Sequence, residues 1–329
     1  MPISRLAVLE AGKSKIPLPA FFPSVSSIKT GLSPVDYIAS LRAMASVTSQ
    51  FLVSAFDVQR TTPDMKAKIV GLLHDAIRDN TVVLMDSGNY ESYWMQARSE
   101  WEQHHFHQAL REVDCTLAFG FDVQDPPQTF EEHVDLVVRR HQEDGTVSSR
   151  TALIPIVHGS PETLPGLCAA IVERTRAVAI AVPERRLGSG VFERARTVVQ
   201  IRKALDAAGR YTPLHLLGTG NPISIALYAV AGADSFDGLE WCQTVVDFDS
   251  AQLFHLSQAD FFRRQTQWGE SDLSFSLRTL AHNLEFFADW MARLQGAIAE
   301  GVGERFCELN FPPRIYLQCR DSLGWREAR

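Results

Sequence analysis

Cysteine is scarce in this chain. There are five in 329 residues, and no two stand in a CxxC spacing. An odd number without paired spacing excludes a disulfide framework and suits a reduced, cytoplasmic setting. No apolar run approaches the length of about 18 residues that a membrane-spanning helix needs. Residues 1–11 lack the basic-then-apolar order of a signal peptide. Basic charge is not in excess either: 32 Lys and Arg against 39 Asp and Glu leave a net charge of −7. That balance argues against coating nucleic acid through bulk charge, while leaving room for a local basic groove. Low-complexity segments and linkers are absent as well. What remains is an ordinary globular composition, 45% hydrophobic and 22% charged, at a length sufficient to bury a sizeable core. The length equals about two average domains, or one α/β barrel with an extension.

Short continuous apolar runs recur at 18–23, 51–55, 82–86, 116–122, 152–157, 177–182, 214–218 and 233–237. Continuity, rather than alternation, is expected of parallel strands covered on both faces. Amphipathic stretches separate them, at 34–44, 63–78, 102–113, 130–141, 164–174, 192–208 and 222–231. Eight strands alternating with helices predict an α/β fold, a (β/α)8 TIM barrel over residues 1–240, with a doubly wound open sheet as the rival. Residues 240–275 read as irregular. Apolar residues at three- and four-residue steps then predict one long helix over 274–300. This makes 241–329 a C-terminal extension whose long helix packs on the barrel. The final stretch, with Pro312, Pro313, Tyr316 and Trp325, predicts nothing by itself.

Barrel chemistry gathers where strands end. The third strand ends in Met85-Asp86-Ser87-Gly88-Asn89-Tyr90 and the fourth in Phe121-Asp122-Val123-Gln124-Asp125-Pro126-Pro127. The fifth ends in Val157-His158-Gly159, the seventh in Leu217-Gly218-Thr219-Gly220-Asn221-Pro222 and the eighth in Phe236-Asp237-Gly238. Any one Asp here can be a helix N-cap. The Gly218–Gly220 turn can be plain turn chemistry or a phosphate cradle at a helix start. Three carboxylates and a histidine in one mouth exceed what capping requires.

Taken in order, these segments resemble the tRNA-guanine transglycosylases. Asp86-Ser87-Gly88-x-Tyr90 is similar to their DSGG[FY]Q, Ile156-Val157-His158-Gly159 to IVQG, and Leu217–Pro222 to MGVGxP. Asp122 followed by prolines resembles the fourth-strand aspartate of archaeal members. Phe236-Asp237 stands where FDC occurs, behind Gly232-Ala233-Asp234. His282-Asn283-Leu284 resembles their HNLxF helix. The resemblance implies a base exchange with Asp237 as the nucleophile on C1′ and Asp86 as general acid/base. It implies Asp122 reading the guanine edge, Tyr90 and Leu217 enclosing the base, and Ser87, His158, Gly159 and Gly218 around it. Chemistry on a base also requires extruding the nucleotide, hence a basic rim; Arg185, Arg186, Arg263 and Arg264 are the candidates.

The departures are specific. His158 replaces the IVQG glutamine and Asn89 the second glycine of DSGG. The sixth-strand loop reads Ala181-Val182-Pro183-Glu184. The family's CxCxxC zinc segment is missing, leaving His282 alone of the usual set, so no metal and no cofactor is expected. Cys242, Cys307 and Cys319 offer at most an improvised site with His282. His104, His105 and His107 read as a solvated helix face. The expected partners are a polynucleotide, DNA ahead of tRNA, and a 7-deazaguanine base; any homodimer or helper protein stays open. Two alternatives stand beside this reading: a catalytically silent accessory subunit, and an unrelated barrel that handles a sugar phosphate.

Overall fold

A computed structural model describes residues 4–96, 100–122 and 124–325. The chain opens with an antiparallel hairpin, β1 (Val8–Ala11) and β2 (Ser14–Pro17). Eight parallel strands follow: β3 (Ala20–Val25), β4 (Gln50–Ser54), β5 (Val82–Asp86), β6 (Leu117–Phe119), β7 (Ala152–Ile154), β8 (Ile180–Pro183), β9 (Leu214–Leu217) and β10 (Ser235–Gly238). Their hydrogen-bonded order is β7-β6-β5-β4-β3-β10-β9-β8. The ring closes where Val157 N–H donates to Ala181 O (2.8 Å) and Ala181 N–H to Pro155 O (3.0 Å). The predicted barrel is therefore present, and the open-sheet rival is excluded.

Helices cover the outside: α1 (Pro34–Ala43), α2 (Ala55–Gln59), α3 (Pro63–Arg78), α4 (Asn89–Trp94), α5 (Gln103–Glu112), α6 (Phe130–Gly145), α7 (Leu164–Thr175), α8 (Val191–Ala207) and α9 (Pro222–Ala231). Several starts are written into the sequence. Ser33, Thr62 and Asn221 each cap a helix whose first residue is proline, accepting backbone N–H groups from the first turn.

Strand side chains divide between two cores. Phe21, Phe51, Val53, Val83, Met85, Ile180, Leu216 and Phe236 face the helices. Ala20, Phe22, Leu52, Leu84, Leu117, Phe119, Ile154 and Ala181 fill the interior, where Leu9, Ala11 and Ile16 of the hairpin join them. The hairpin thus plugs the end of the barrel where strands begin, which leaves the opposite end as the open mouth. At the plugged end Asp234, fully buried, accepts from Arg5, Arg202, Tyr211 and Leu214 N–H. Its place in the Gly232-Ala233-Asp234 lead-in is explained by this network.

After β10 come α10 (Glu240–Gln243), the hairpin strands β11 (Thr244–Val246) and β12 (Leu253–His255), α11 (Phe275–Ala299), α12 (Gly303–Asn310) and α13 (Pro313–Leu323). The region expected to be irregular therefore holds a short helix, a hairpin and 3-10 turns. Helix α11 lies on the barrel wall, with Phe287 stacked on Phe21 at 4.4 Å. Asn283 donates to Trp241 O (2.8 Å) and Thr244 O (2.7 Å) and accepts Val246 N–H. His282 Nε2 donates to Val246 O at 2.7 Å. The His282-Asn283 pair thus braces the segment that follows Asp237.

Candidate active site

At the mouth, the strand ends line a cavity of about 690 Å³, within the range of small-molecule sites. Asp86 closes β5. Gly88 then turns the chain in a left-handed conformation (φ 90°), so that its N–H returns to Asp86 Oδ2 at 3.0 Å. No other residue fits, because a Cβ at Gly88 would lie 2.7 Å from the Trp101 ring and 2.8 Å from Phe56 N. Burial, and next the charge of Glu91, hold the Asp86 carboxyl well above the usual carboxylate range; Asp122 and Asp237 add to this. A carboxyl so placed holds its proton to higher pH than a free one and is suited to donating it.

Asp237, in β10, has both oxygens held. Oδ2 accepts from Ser24 Oγ (3.0 Å), and Oδ1 from Gly218 N–H (3.1 Å) and His215 Nε2 (3.1 Å). His215 lies inside the barrel at 1% exposure, 4.8 Å from the Phe119 ring, with Nδ1 2.8 Å from Ser235 Oγ. The assignment with every group satisfied has Ser235 donating to Nδ1 and Nε2–H donating to Asp237. The result is a fixed carboxylate with little freedom to rotate.

Asp122 is held differently. Oδ1 accepts from Ser87 Oγ (3.1 Å) and Asn89 Nδ2 (2.6 Å), while Oδ2 accepts from His158 Nε2 (2.6 Å) and Gln124 Nε2 (2.6 Å). Burial pushes its pKa up, but the His158 hydrogen bond and charge and the amide and hydroxyl donors outweigh it, and the net shift is downward. Asp122 is therefore an anion. The chain leading to it is anchored by buried Asp144, which accepts Phe121 N–H (2.8 Å), Gln103 (2.7 Å) and His107 (2.7 Å).

More acid stands around these three. Glu91 accepts from Ser26 (2.7 Å) and Ser54 (2.6 Å), and burial followed by the charge of Asp57 raises it to about 7. Asp57 is raised to about 6, by burial first. Glu240 is raised to about 7 by burial, with the charge of Asp237 adding to it, and it accepts Gly220 N–H. Gly220 and Gly238 make room for it, since a Cβ on Gly238 would meet Glu240 Oε2 at 2.4 Å and Gly220 Cα at 2.7 Å.

Tyr90, Leu217, Gly218, Ser87, His158, Arg185 and Arg186 all line this cavity. Three expected positions do not. Gly159 turns toward Thr163, Leu164 and Leu167 at the start of α7. Arg263 and Arg264 sit in the 3-10 stretch Leu256–Gln265, which packs against the β11–β12 hairpin. There Arg263 Nε donates to Gly269 O (3.0 Å). The rim of this cavity is therefore Arg185 and Arg186 without the later pair. Ser24, Glu91, Gln124, His215 and Glu240 were missed from the sequence. Of these, Gln124 lay within the fourth strand-end segment without a role, and Glu91 directly followed the third.

The three histidines of α5 are not a uniform solvated face. His104 is exposed, but His105 stacks on Trp101 at 5.3 Å and His107 pairs with buried Asp144. Among the described residues, no group of three or more His, Cys, Asp or Glu is disposed to hold a metal. His282 has both nitrogens engaged, with Val246 O and with Thr266 Oγ1 at 3.3 Å. The five cysteines are free and buried. These residues do not fit a four-coordinate zinc centre. Among the described residues, no helix is long and apolar enough to cross a membrane.

A cavity floor lined by Asp86, Asp122, Asp237 and Glu240 favours donors and developing positive charge over phosphate. The glycine turn reinforces this, because Gly218 and Gly220 N–H point to the carboxylates of Asp237 and Glu240 rather than to an open anion site. A sugar-phosphate cradle at this turn is thereby disfavoured. One fixed carboxylate, one carboxyl with a raised pKa and one hydrogen-bonded anion around a single cavity form a barrel site suited to glycosyl chemistry. A curated relative agrees in class: the tRNA-guanine(15) transglycosylase of Sulfolobus acidocaldarius is 22% identical over 272 residues, 78% of this chain and 52% of the relative. The chain thus spans about half the length of that relative. No family model matches the chain.

Proposed function

We propose that this protein is a base-exchange transglycosylase that replaces guanine in a polynucleotide with a 7-deazaguanine, DNA being favoured over tRNA. The observation that carries the reading is the pairing, across one cavity, of Asp237, fixed by Ser24, Gly218 and His215, with Asp86, whose carboxyl is pushed above the usual carboxylate range by burial and the charge of Glu91. Asp237 attacks C1′ of the extruded nucleoside. The C1′–N9 bond breaks with its electron pair passing to guanine, and Asp86 delivers the proton that neutralises the leaving base. The incoming base then gives a proton to the Asp86 carboxylate and attacks C1′. The ester to Asp237 breaks with its pair returning to the carboxylate. Two displacements at one carbon retain its configuration.

The remaining residues serve the base. Tyr90 and Leu217 enclose its faces, and Asp122 accepts from the donor edge of guanine with Ser87, His158 and Gly218 close by. Arg185 and Arg186 meet the phosphates. The preference for DNA rests on the missing CxCxxC segment, which belongs to the part of these enzymes that handles tRNA. The accessory-subunit reading loses ground because Asp86 and Asp237 face an open cavity rather than packed apolar groups.

Incubating the protein with labelled guanine, or preformed 7-deazaguanines, and either DNA or tRNA tests the proposal. Label enters one polymer with the native chain and neither with Asp237→Ala. Incorporation that persists in Asp237→Ala overturns the nucleophile. Absence of incorporation from every base into both polymers overturns the activity.

A further inference from the structure

A carboxylate offers about four acceptor positions, and on Asp122 all four are taken by the protein. No acceptor is therefore left for a purine edge until one donor departs. Ser87 and His158 are 1% and 2% exposed, and packing holds them. Asn89 also donates to the Asp122 carbonyl at 3.1 Å, which anchors it. Gln124 alone of the four stands on the loop beyond β6, half-buried, at the edge of the cavity. Its amide is a bridge: Nε2 donates to Asp122 Oδ2 at 2.6 Å, and Oε1 accepts from Arg185 at 3.0 Å. Its backbone carbonyl accepts from Arg186 at 3.2 Å. Both rim arginines thus grip the residue that occupies the base-reading carboxylate.

We infer that Gln124 is a latch on Asp122, holding the base edge closed until a phosphodiester draws Arg185 and Arg186 away and lets the amide swing out. This rests on the proposed reading of Asp122 as the group that meets the guanine edge. Its departure frees an acceptor position on Oδ2. The latch ties base recognition to the presence of polymer, so that a free purine competes poorly for an empty site. Coupling of this kind is reciprocal, and bound polymer tightens the site for the base by the same factor that bound base tightens it for polymer.

The test is calorimetric binding of free guanine to the native chain, Gln124→Ala and Arg185→Ala, with circular dichroism as the fold control. Gln124→Ala binds guanine about five- to tenfold tighter, the worth of one net hydrogen bond. Arg185→Ala also binds it tighter, although a cation has been lost. A short abasic oligonucleotide, as DNA or RNA, tightens guanine binding to the native chain and leaves Gln124→Ala unmoved. A merely structural glutamine would give equal or weaker binding when removed, and that result in a folded variant overturns the latch. Guanine exchange by the native chain, measured in parallel, separates the two ideas. Exchange with unmoved affinity sinks the latch alone. No exchange and no purine binding by either protein sinks both.

Discussion

Replacing Glu91 by glutamine isolates the cost of gathering acids at this mouth. Glu91 is 3% exposed and accepts from Ser26 and Ser54. Each serine oxygen also accepts a backbone N–H, from Ile28 and Phe56, and keeps a further lone pair to meet the new amide. The substitution therefore changes charge more than packing. A carboxyl whose folded pKa exceeds its unfolded value contributes stability at low pH and loses it as pH rises through the folded value. For Glu91 the rise from 4.5 to about 7 is worth about 3 kcal/mol at most, because the repulsion is shared with Asp57. Glu91→Gln is then close to neutral at pH 4.5 and stabilising at pH 8. At an unfolding entropy of about 2.1 cal/mol/K per residue, the difference is a Tm gain of roughly 4 °C. Thermal unfolding of both proteins at the two pH values reads it directly. Asp86, relieved of the neighbouring charge that raises it most, also loses its proton at lower pH, so the alkaline limb of the exchange rate moves down. An equal stability change at both pH values would refute the reasoning.

Other outcomes follow from particular contacts. His215→Phe keeps the tilted ring contact with Phe119 but removes a donor to Asp237, and single-turnover exchange falls about 10- to 100-fold while circular dichroism is unchanged. Gly238→Ala drives a methyl into Glu240 and Gly220 and costs about 1–3 kcal/mol, seen as a lowered Tm together with lost exchange. Ile16→Ala, in the hairpin plug, costs about 2–5 kcal/mol in urea unfolding and leaves the rate per folded molecule unaltered.

Much of the barrel could be read from the chain because its signals are local. Strand β5 and helices α3 and α9 fall at their expected limits, where an uninterrupted apolar run or a capped proline start marks the boundary. The run at 116–122 gives only Leu117–Phe119 as strand: Gly120 N–H still donates to Ile154 O, but Phe121 N–H turns to the buried carboxylate of Asp144, 23 residues distant. The first hairpin and the short helices α2, α4 and α10 are too brief to show periodicity, whereas the terminal α12 and α13 are amphipathic and were not read from the tail. The mouth was legible where an acid ends a strand, as at Asp86, Asp122 and Asp237. It was not legible where burial turns an ordinary residue into a partner. Ser24 falls beyond the expected end of its strand. His215 sits mid-strand and faces inward, and Glu240 is reached only because two glycines permit it.

Trapping the glycosyl-enzyme tests the central claim most directly. The protein is mixed with guanosine-containing DNA or tRNA without an acceptor base, quenched in acid, digested and analysed by mass spectrometry. The account predicts a pentosyl adduct on the peptide bearing Asp237, absent from Asp237→Asn and discharged when a base is added before the quench. Exchange that proceeds with no adduct on Asp237, or with the adduct on another side chain, would contradict it.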